Sequence, residues 1–332
     1  MPGALPDVLP MRPYFRPMVW GGRRLAELYG KDLPAGELIG ESFEVSAYPQ
    51  RESRVAAGPL AAWDLRTLTA AHGEALVGRR AWLTCGGRFP LLVKLLDAQE
   101  DLSVQVHPGD EYARASGLPD SGKAEAWFVL HSQGGRVAHG LQPGVGKDEL
   151  KAAVREGRVE NVVRFHAVQA GDVLFSPPGT VHALCRGVVI YEVQQSSDLT
   201  FRIHDYGRLG LDGRPRPLHL EQALEVIDFA AATSGPVPRR DLAAAGDGPV
   251  RLVECEHFRL HFLRQAPSSV ALLAASPSFA SLTVVEGRAS LRGEGAGHVL
   301  RAGETALIPS AREVQVAADP GGPCAYLVAT AP

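Results

Sequence analysis

Cysteine is scarce in this chain: four residues in 332, at Cys85, Cys185, Cys255 and Cys324. They are far apart and form no CxxC pair, which argues against a disulfide framework and against a thiolate zinc site. Excess charge is missing too. Thirty-four Lys and Arg against 37 Asp and Glu leave a formal charge of −3. That argues against a nucleic-acid surface, yet leaves room for a small anionic substrate served by a few local cations. No apolar run is long enough to span a bilayer, so no membrane role is expected. The start, Met1-Pro-Gly-Ala-Leu-Pro-Asp7, lacks the basic stretch and apolar core of a signal peptide. A cytoplasmic protein is expected, as a monomer or small homo-oligomer.

Helical patterning is also sparse. Three segments carry it: Asp64–Leu76 behind an Asp cap, the amphipathic Lys147–Gly157 with a glycine stop, and Leu220–Phe229. The rest is short apolar or alternating runs punctuated by Gly, Pro and Asp, such as Leu91–Leu96, Ala126–Leu130, Val188–Val193 and Thr305–Ile308. That spacing predicts a mainly β chain of sandwich or barrel type with a few short helices. Length alone suggests about two domains. The linker-like stretch at 231–249 divides a first domain, 1–232, from a second, 240–332.

A weak internal repeat spans that division. Gly171 and Pro177 frame one predicted hairpin, and Gly303 and Pro309 frame another at the same spacing. Where the first copy has His182, the second has Val314. Two barrels are expected, the first with a metal and the second without.

The metal expectation rests on ligand-type residues in predicted strands. In Leu102–His107, strand alternation puts Leu102, Val104 and Val106 on one face and Ser103, Gln105 and His107 on the other. Glu125 and His182 follow in strand patterns of their own. Taken singly, each His is more simply a hydrogen-bonded core residue. Together, Gln105, His107, Glu125 and His182 form a nitrogen and oxygen set that fits Zn²⁺, Mn²⁺, Fe²⁺ or Co²⁺, with zinc favoured and Gln105 the least secure ligand.

Long motifs carry a family resemblance. Asp101-Leu-Ser-Val-Gln-Val-His-Pro-Gly-Asp-Glu-Tyr-Ala113, Lys123-Ala-Glu-Ala-Trp127, Pro178-Gly-Thr-Val-His-Ala183 and Gln194-Gln-Ser-Ser-Asp-Leu-Thr-Phe-Arg202 resemble type I mannose-6-phosphate isomerase, a zinc enzyme of the cupin superfamily. The match is good over roughly residues 12–230, and the short length resembles the family's compact bacterial branch. The resemblance implies cupin-like (jelly-roll type) barrels, one Zn²⁺ per chain on Gln105, His107, Glu125 and His182, and an active-site role for Arg202. It also implies a sugar phosphate as the small-molecule partner. The chain departs from the usual pattern at Phe43, Tyr48, Ala124, Ala126 and Leu199. None of these is a proposed ligand.

Aldose–ketose isomerisation moves a proton between C1 and C2 through an enediol. It needs a base, an electrophile and protonation of the oxygens. Glu192 lies in an otherwise apolar strand, where desolvation favours the protonated form and suits proton transfer. Its plainer reading is an ion pair with Arg202. Lys123 is a second candidate base or a phosphate clamp. Arg202 offers a planar fork for an enediolate or phosphate, and Asp198 either orients it or simply caps a turn. Lys94, Ser103, Lys123 and Arg202 are the candidate phosphate contacts, unranked, and Lys94 suits a buried pair. Trp20 and Trp127 could line a sugar pocket or simply fill the core. Two alternatives remain: an isomerase of an unphosphorylated sugar, and a non-catalytic metal-cupin sugar-binding protein.

Overall fold

Largely apolar strands such as Leu91–Ala98 and Val188–Gln195 are legible as strands buried on both faces, because a strand with one wet face must alternate. The computed structural model describes residues 4–231, 235–238, 242, 248–295 and 297–332. It is mainly β, 39% strand and 16% helix, with few helices and no closed barrel among the described residues. The predicted linker at 231–249 falls largely outside the described residues.

The first strands are β1 (Leu9–Arg12), β2 (Tyr14–Gly22), β3 (Ile39–Val45) and β4 (Arg54–Val55). A long series follows: β5 (Leu91–Ala98), β6 (Val104–Val106), β7 (Glu125–Ser132), β8 (Arg136–Leu141), β9 (Val163–Ala167), β10 (Val173–Ser176), β11 (His182–Leu184), β12 (Val188–Gln195) and β13 (Phe201–His204). The last third holds β14 (Val250–Glu254), β15 (Arg259–Gln265), β16 (Val270–Leu273), β17 (Ala280–Glu286), β18 (Arg288–Arg292), β19 (His298–Arg301), β20 (Thr305–Ile308), β21 (Val314–Ala318) and β22 (Cys324–Thr330).

Four antiparallel sheets result, ordered β14-β15-β22-β17-β20-β1-β4, β10-β7-β12-β5-β3-β2, β13-β6-β11-β8-β9 and β16-β21-β18-β19. Strand alternation sorts side chains between the layers. In β12, Val189, Tyr191 and Val193 join the large cluster shared with Leu327 and Ala329 of the seven-stranded sheet. Val188 and Ile190 point the other way, onto Val137 and Leu184 of the five-stranded sheet. Beyond the seven-stranded sheet, Tyr326 and Val328 pack on Leu291 and Val316 of the four-stranded one. Each fully buried Leu or Ile in these layers contributes about 1.5–3 kcal/mol relative to exposure.

The repeat is explicit in the topology. The arrangement β10-β7-β12-β5 facing β6-β11-β8-β9 recurs as β20-β17-β22-β15 facing β16-β21-β18-β19. The expected hairpins, however, are corners. β10 pairs with β7, whereas β11 pairs with β6 and β8 in the other sheet. Pro177 and Pro178 have no N–H to give to a ladder, so the chain crosses between sheets at this point.

Three helices match the sequence patterns: α2 (Leu65–Val77), α5 (Lys147–Arg155) and α6 (Leu220–Val226). The Asp64 side chain caps α2 by accepting from the Thr67 backbone N–H at 2.8 Å. The α6 helix stops at Val226, short of the Phe229 expected, as Ile227 turns extended. Three one- to two-turn helices carried no periodicity long enough to read: α1 (Arg24–Tyr29), α3 (Arg79–Thr84) and α4 (Asp110–Ala115). Helices α5 and α6 cover the outer face of the five-stranded sheet, where Leu150, Ala153 and Leu224 pack on Val104, Val106 and Ile203. That leaves the inner face of β6 for polar side chains. The alternation starts only at Val104, so Leu102 joins the inner cluster instead of the Val104–Val106 face.

Candidate functional site

Three of the sequence-predicted ligands converge. Suitable atoms of His107, Glu125 and His182 all lie within 4.8 Å of one another, and all three residues are buried. His107 leaves β6, Glu125 opens β7 and His182 opens β11, so two facing sheets supply them. His182 Nε2 is 3.1 Å from Glu125 Oε1, and His107 Nε2 is 3.5 Å from Oε2. Each ring's other nitrogen faces a backbone carbonyl: His107 Nδ1 the Leu199 oxygen at 2.7 Å, His182 Nδ1 the Thr180 oxygen at 2.9 Å. A carbonyl only accepts, so each Nδ1 carries the proton and each Nε2 keeps its lone pair for the cluster. Gln105 stands opposite His182 in the β6–β11 register, its amide nitrogen 3.4 Å from His182 Nε2.

These residues fit a divalent cation on their own chemistry. Neither Glu125 oxygen accepts an aligned hydrogen bond, although both are buried. Natural proteins rarely leave a carboxylate so. A cation already stands there: Lys123 Nζ is 2.7 Å from Glu125 Oε2 and 3.1 Å from His107 Nε2. Burial by itself would raise the Glu125 carboxyl. The Lys123 ammonium, together with His182 and His107, outweighs it and holds the group well below the usual carboxylate range. Burial, with the Lys123 charge, pushes His107 down to about 3 and so keeps the ring neutral, as a metal ligand must be.

A cleft of about 250 Å³ borders this cluster through Lys123 and Gln105. Lys94, Ser103, Gln105, Lys123, Glu192 and Arg202 all line it, together with Trp20 and the unpredicted Arg16, Glu41 and Arg216. Lys123 precedes β7 rather than lying in it, yet still faces Glu125. Along one wall, charges alternate. Lys94 Nζ reaches Glu192 Oε1 and Glu41 Oε1, each at 3.2 Å, and donates to Gln194 Oε1 at 2.8 Å. Arg16 meets Glu41 at 2.9 Å and Asp198 at 3.8 Å. Burial by itself would lower Lys94. Glu41 and Glu192 more than compensate and lift it above the ordinary lysine value, so it stays charged.

Two sequence expectations are overturned here. Glu192 does not pair with Arg202: its oxygens take Lys94 and the Trp127 indole N–H, the latter at 2.9 Å. Asp198 does not orient Arg202 but bonds Arg51 at 2.6 Å. Arg202 is held by Ser103 Oγ at 3.3 Å and the Pro217 carbonyl at 2.9 Å. In both cases sequence proximity suggested a partner that a distant part of the chain supplies instead. Trp127 is buried against His182, ring centroids 5.5 Å apart and edge-on, so it supports the site from behind. His139 escaped notice in the sequence because Arg136–Leu141 reads as an ordinary strand. It stands across from His182 in the β8–β11 register, and burial, with His182 adding to it, pushes it down to about 4.

Comparison with known proteins gives a consistent result. Residues 8–123 match the family model "Phosphomannose isomerase type I, catalytic domain". The chain is 32% identical to mannose-6-phosphate isomerase ManA of Bacillus subtilis, over 90% of this chain and 91% of that one. It is 38% identical to a mannose-6-phosphate isomerase of Streptococcus mutans over 210 residues, 63% of this chain and 64% of the other. The crystal structure of a mannose 6-phosphate isomerase from Bacillus subtilis superimposes with a TM-score of 0.82 at 29% identity, covering 98% of this chain and 99% of that one. Identity of this order across nearly the whole of both chains makes this protein a member of the type I phosphomannose isomerase family.

Proposed function

We propose that this chain interconverts D-mannose 6-phosphate and D-fructose 6-phosphate, an aldose–ketose isomerisation, in the cleft bounded by Lys123, Glu192 and Arg202. The observation that carries the reading is the convergence of His107, Glu125 and His182, which the cleft-lining Lys123 and Gln105 contact. Gln105 completes the proposed ligand set, and the nitrogen and oxygen donors favour Zn²⁺. When bound, such a cation supplies electrophilic stabilisation of charge developing on a substrate oxygen.

The protein's own groups have separable tasks. The Glu192 carboxylate faces the cleft with Lys94 and Trp127 fixing its two oxygens, and so holds one direction from which to take and return a proton between C1 and C2. Lys123 supplies a second positive group beside Glu125 that can give a proton to a substrate oxygen. Arg202, half-buried and anchored through Ser103 and Pro217, presents a guanidinium plane suited to an enediolate or phosphate. Lys94 and Ser103 belong to the phosphate-contact set in this reading. Lys94, bound by three partners, serves mainly to balance Glu41 and Glu192. Lys123 and Arg202 on the cleft lining favour an anionic sugar over a neutral one. The two repeated sheet pairs are read as two cupin-like jelly rolls, residues 1–232 carrying the site and 240–332 carrying none. Four free cysteines suit a reducing, cytoplasmic setting.

The test is a coupled assay of mannose 6-phosphate conversion before and after chelation and zinc return. Loss with the chelator and recovery with zinc is the expected result. A zinc-loaded protein that does not turn over would refute the proposal.

A further inference from the structure

The segment Gly122–Glu125 delivers two of the site's key groups, Lys123 and Glu125, yet only Glu125 of the four belongs to a strand. Something else must hold the preceding residues. Their backbone is tied at four points, one of them the Ala124 carbonyl, which accepts from the Gln195 backbone N–H at 3.2 Å. The Lys123 N–H donates to the Pro108 carbonyl at 3.0 Å, next to His107. The Ala124 N–H donates to the Gln195 side-chain oxygen at 2.8 Å. The Gly122 N–H donates to Asp110 Oδ1 at 2.7 Å.

The last two anchors are themselves joined. Gln195 Nε2 donates to both oxygens of Asp110, at 3.2 and 3.3 Å. The two side chains therefore form a continuous bracket around the stretch that carries Lys123. Gly122 is required by the fit: a Cβ there would meet Asp110 N and Gly109 C at 2.4 Å each. Neither Asp110 nor Gln195 lines the cleft. Both line a separate cavity of about 290 Å³, beside Cys85 and Arg88. Neither residue can touch a substrate in the cleft, so any effect on chemistry is exerted through Lys123 and Glu125.

We propose that Asp110 and Gln195 are positioning residues whose mutual hydrogen bond sets the placement of Lys123 and Glu125. This rests on the site reading given above. The bracket has a defined polarity. Asp110 can only accept, so the Gln195 amide must turn its NH₂ to Asp110 and its oxygen to Ala124. Asp110→Asn puts a second donor against the Gln195 NH₂. Gln195→Glu puts a second acceptor against the Asp110 carboxylate. Either change forces one anchor to release. Combining them restores complementarity with the roles reversed: the introduced asparagine accepts from Gly122 and donates to the introduced glutamate, which still accepts from Ala124.

The experiment measures zinc affinity by chelator competition, kcat and KM separately, and melting temperature, on the full-length zinc-loaded protein. Each single change should lower zinc affinity or kcat by about 10- to 100-fold, the usual effect of removing a group that orients a ligand, with KM little changed. The exchanged pair D110N/Q195E should recover most of that loss. If Asp110→Asn does not fold, Gln195→Glu and the exchanged pair carry the same test. Single variants with unaltered zinc affinity and kcat would overturn the bracket, as would an exchanged pair whose loss is the product of the two singles. Glu125→Gln serves as the control. Unaltered zinc retention and turnover in that variant would remove the site reading and the bracket with it. A Glu125 requirement beside neutral single changes would overturn the bracket alone.

Discussion

The two repeated sheet pairs share a topology and differ in what fills them. At the matching corners, Gly171 and Gly303 take φ of 93° and 85°. Register then gives the equivalent positions. Ser176 faces Glu125 in the first unit, and Ile308 faces Ala280 in the second. His182 faces Gln105, and Val314 faces Leu273. Glu192 faces Trp127, and Val328 faces Leu282. Four polar positions thus become Ala280, Leu273, Val314 and Val328, and the second interior closes into an apolar cluster. The architecture therefore needs none of the polar residues. The first unit retains buried charges at a cost in desolvation, while the second stabilises the fold with the same strands.

That contrast can be broken experimentally, and the largest effect is expected at Glu125. Glu125→Ala, the residue of the second unit, should abolish metal retention and lower kcat/KM by at least about 100-fold. It also strands the Lys123 charge in the interior, which costs about 3–5 kcal/mol in stability. Metal analysis and denaturant unfolding check both, and a variant that still holds a metal and turns over would erase the distinction between the units. In the second unit, Leu282→Ala should cost about 2–5 kcal/mol while leaving turnover per folded molecule unchanged. A fall in kcat there would mean that the apolar unit takes part in catalysis.

The contrast extends to pH. His139 is pushed down to about 4 when folded, below the free-histidine value of about 6.5. As pH falls, the unfolded chain takes up this proton first. The contribution of His139 is therefore fully present above about pH 6.5 and is lost as pH drops toward 4, with up to about 3 kcal/mol at stake. Melting curves of the unaltered protein and His139→Gln across that range should converge at acid pH. Parallel curves would show that the ring does not govern the loss. The smallest effect is expected at the second corner. Ala311 adopts a left-handed φ of 59° where the first unit has Gly179 at 87°. Ala311→Gly should be nearly neutral, as relieved strain offsets added chain entropy. Gly179→Ala should cost about 1–3 kcal/mol, because its Cβ would meet the Val226 carbonyl at 2.9 Å. Equal costs at both corners would mean that the left-handed backbone is not under strain in either unit.

Particular residues show how much was legible in the chain. The β character, the helices at Asp64 and Lys147, the repeat and the candidate ligand types His107, Glu125 and His182 could all be read, because strand and helix periodicity and capping are local properties. The partners of Glu192 and Asp198 were misread for the opposite reason. Both were matched with Arg202, a near neighbour in sequence, whereas their partners Lys94, Trp127 and Arg51 lie on β5, on β7 and before β4. Arg16, Glu41 and His139 gave no local signal at all. By itself, then, the sequence determined which stretches become strands, where glycine must turn the chain and which side chains can bind a cation. Only the tertiary structure decided which of those side chains meet. Two facing sheets carry strands distant in sequence to within hydrogen-bonding reach, and burial then makes every charge depend on the partner found there.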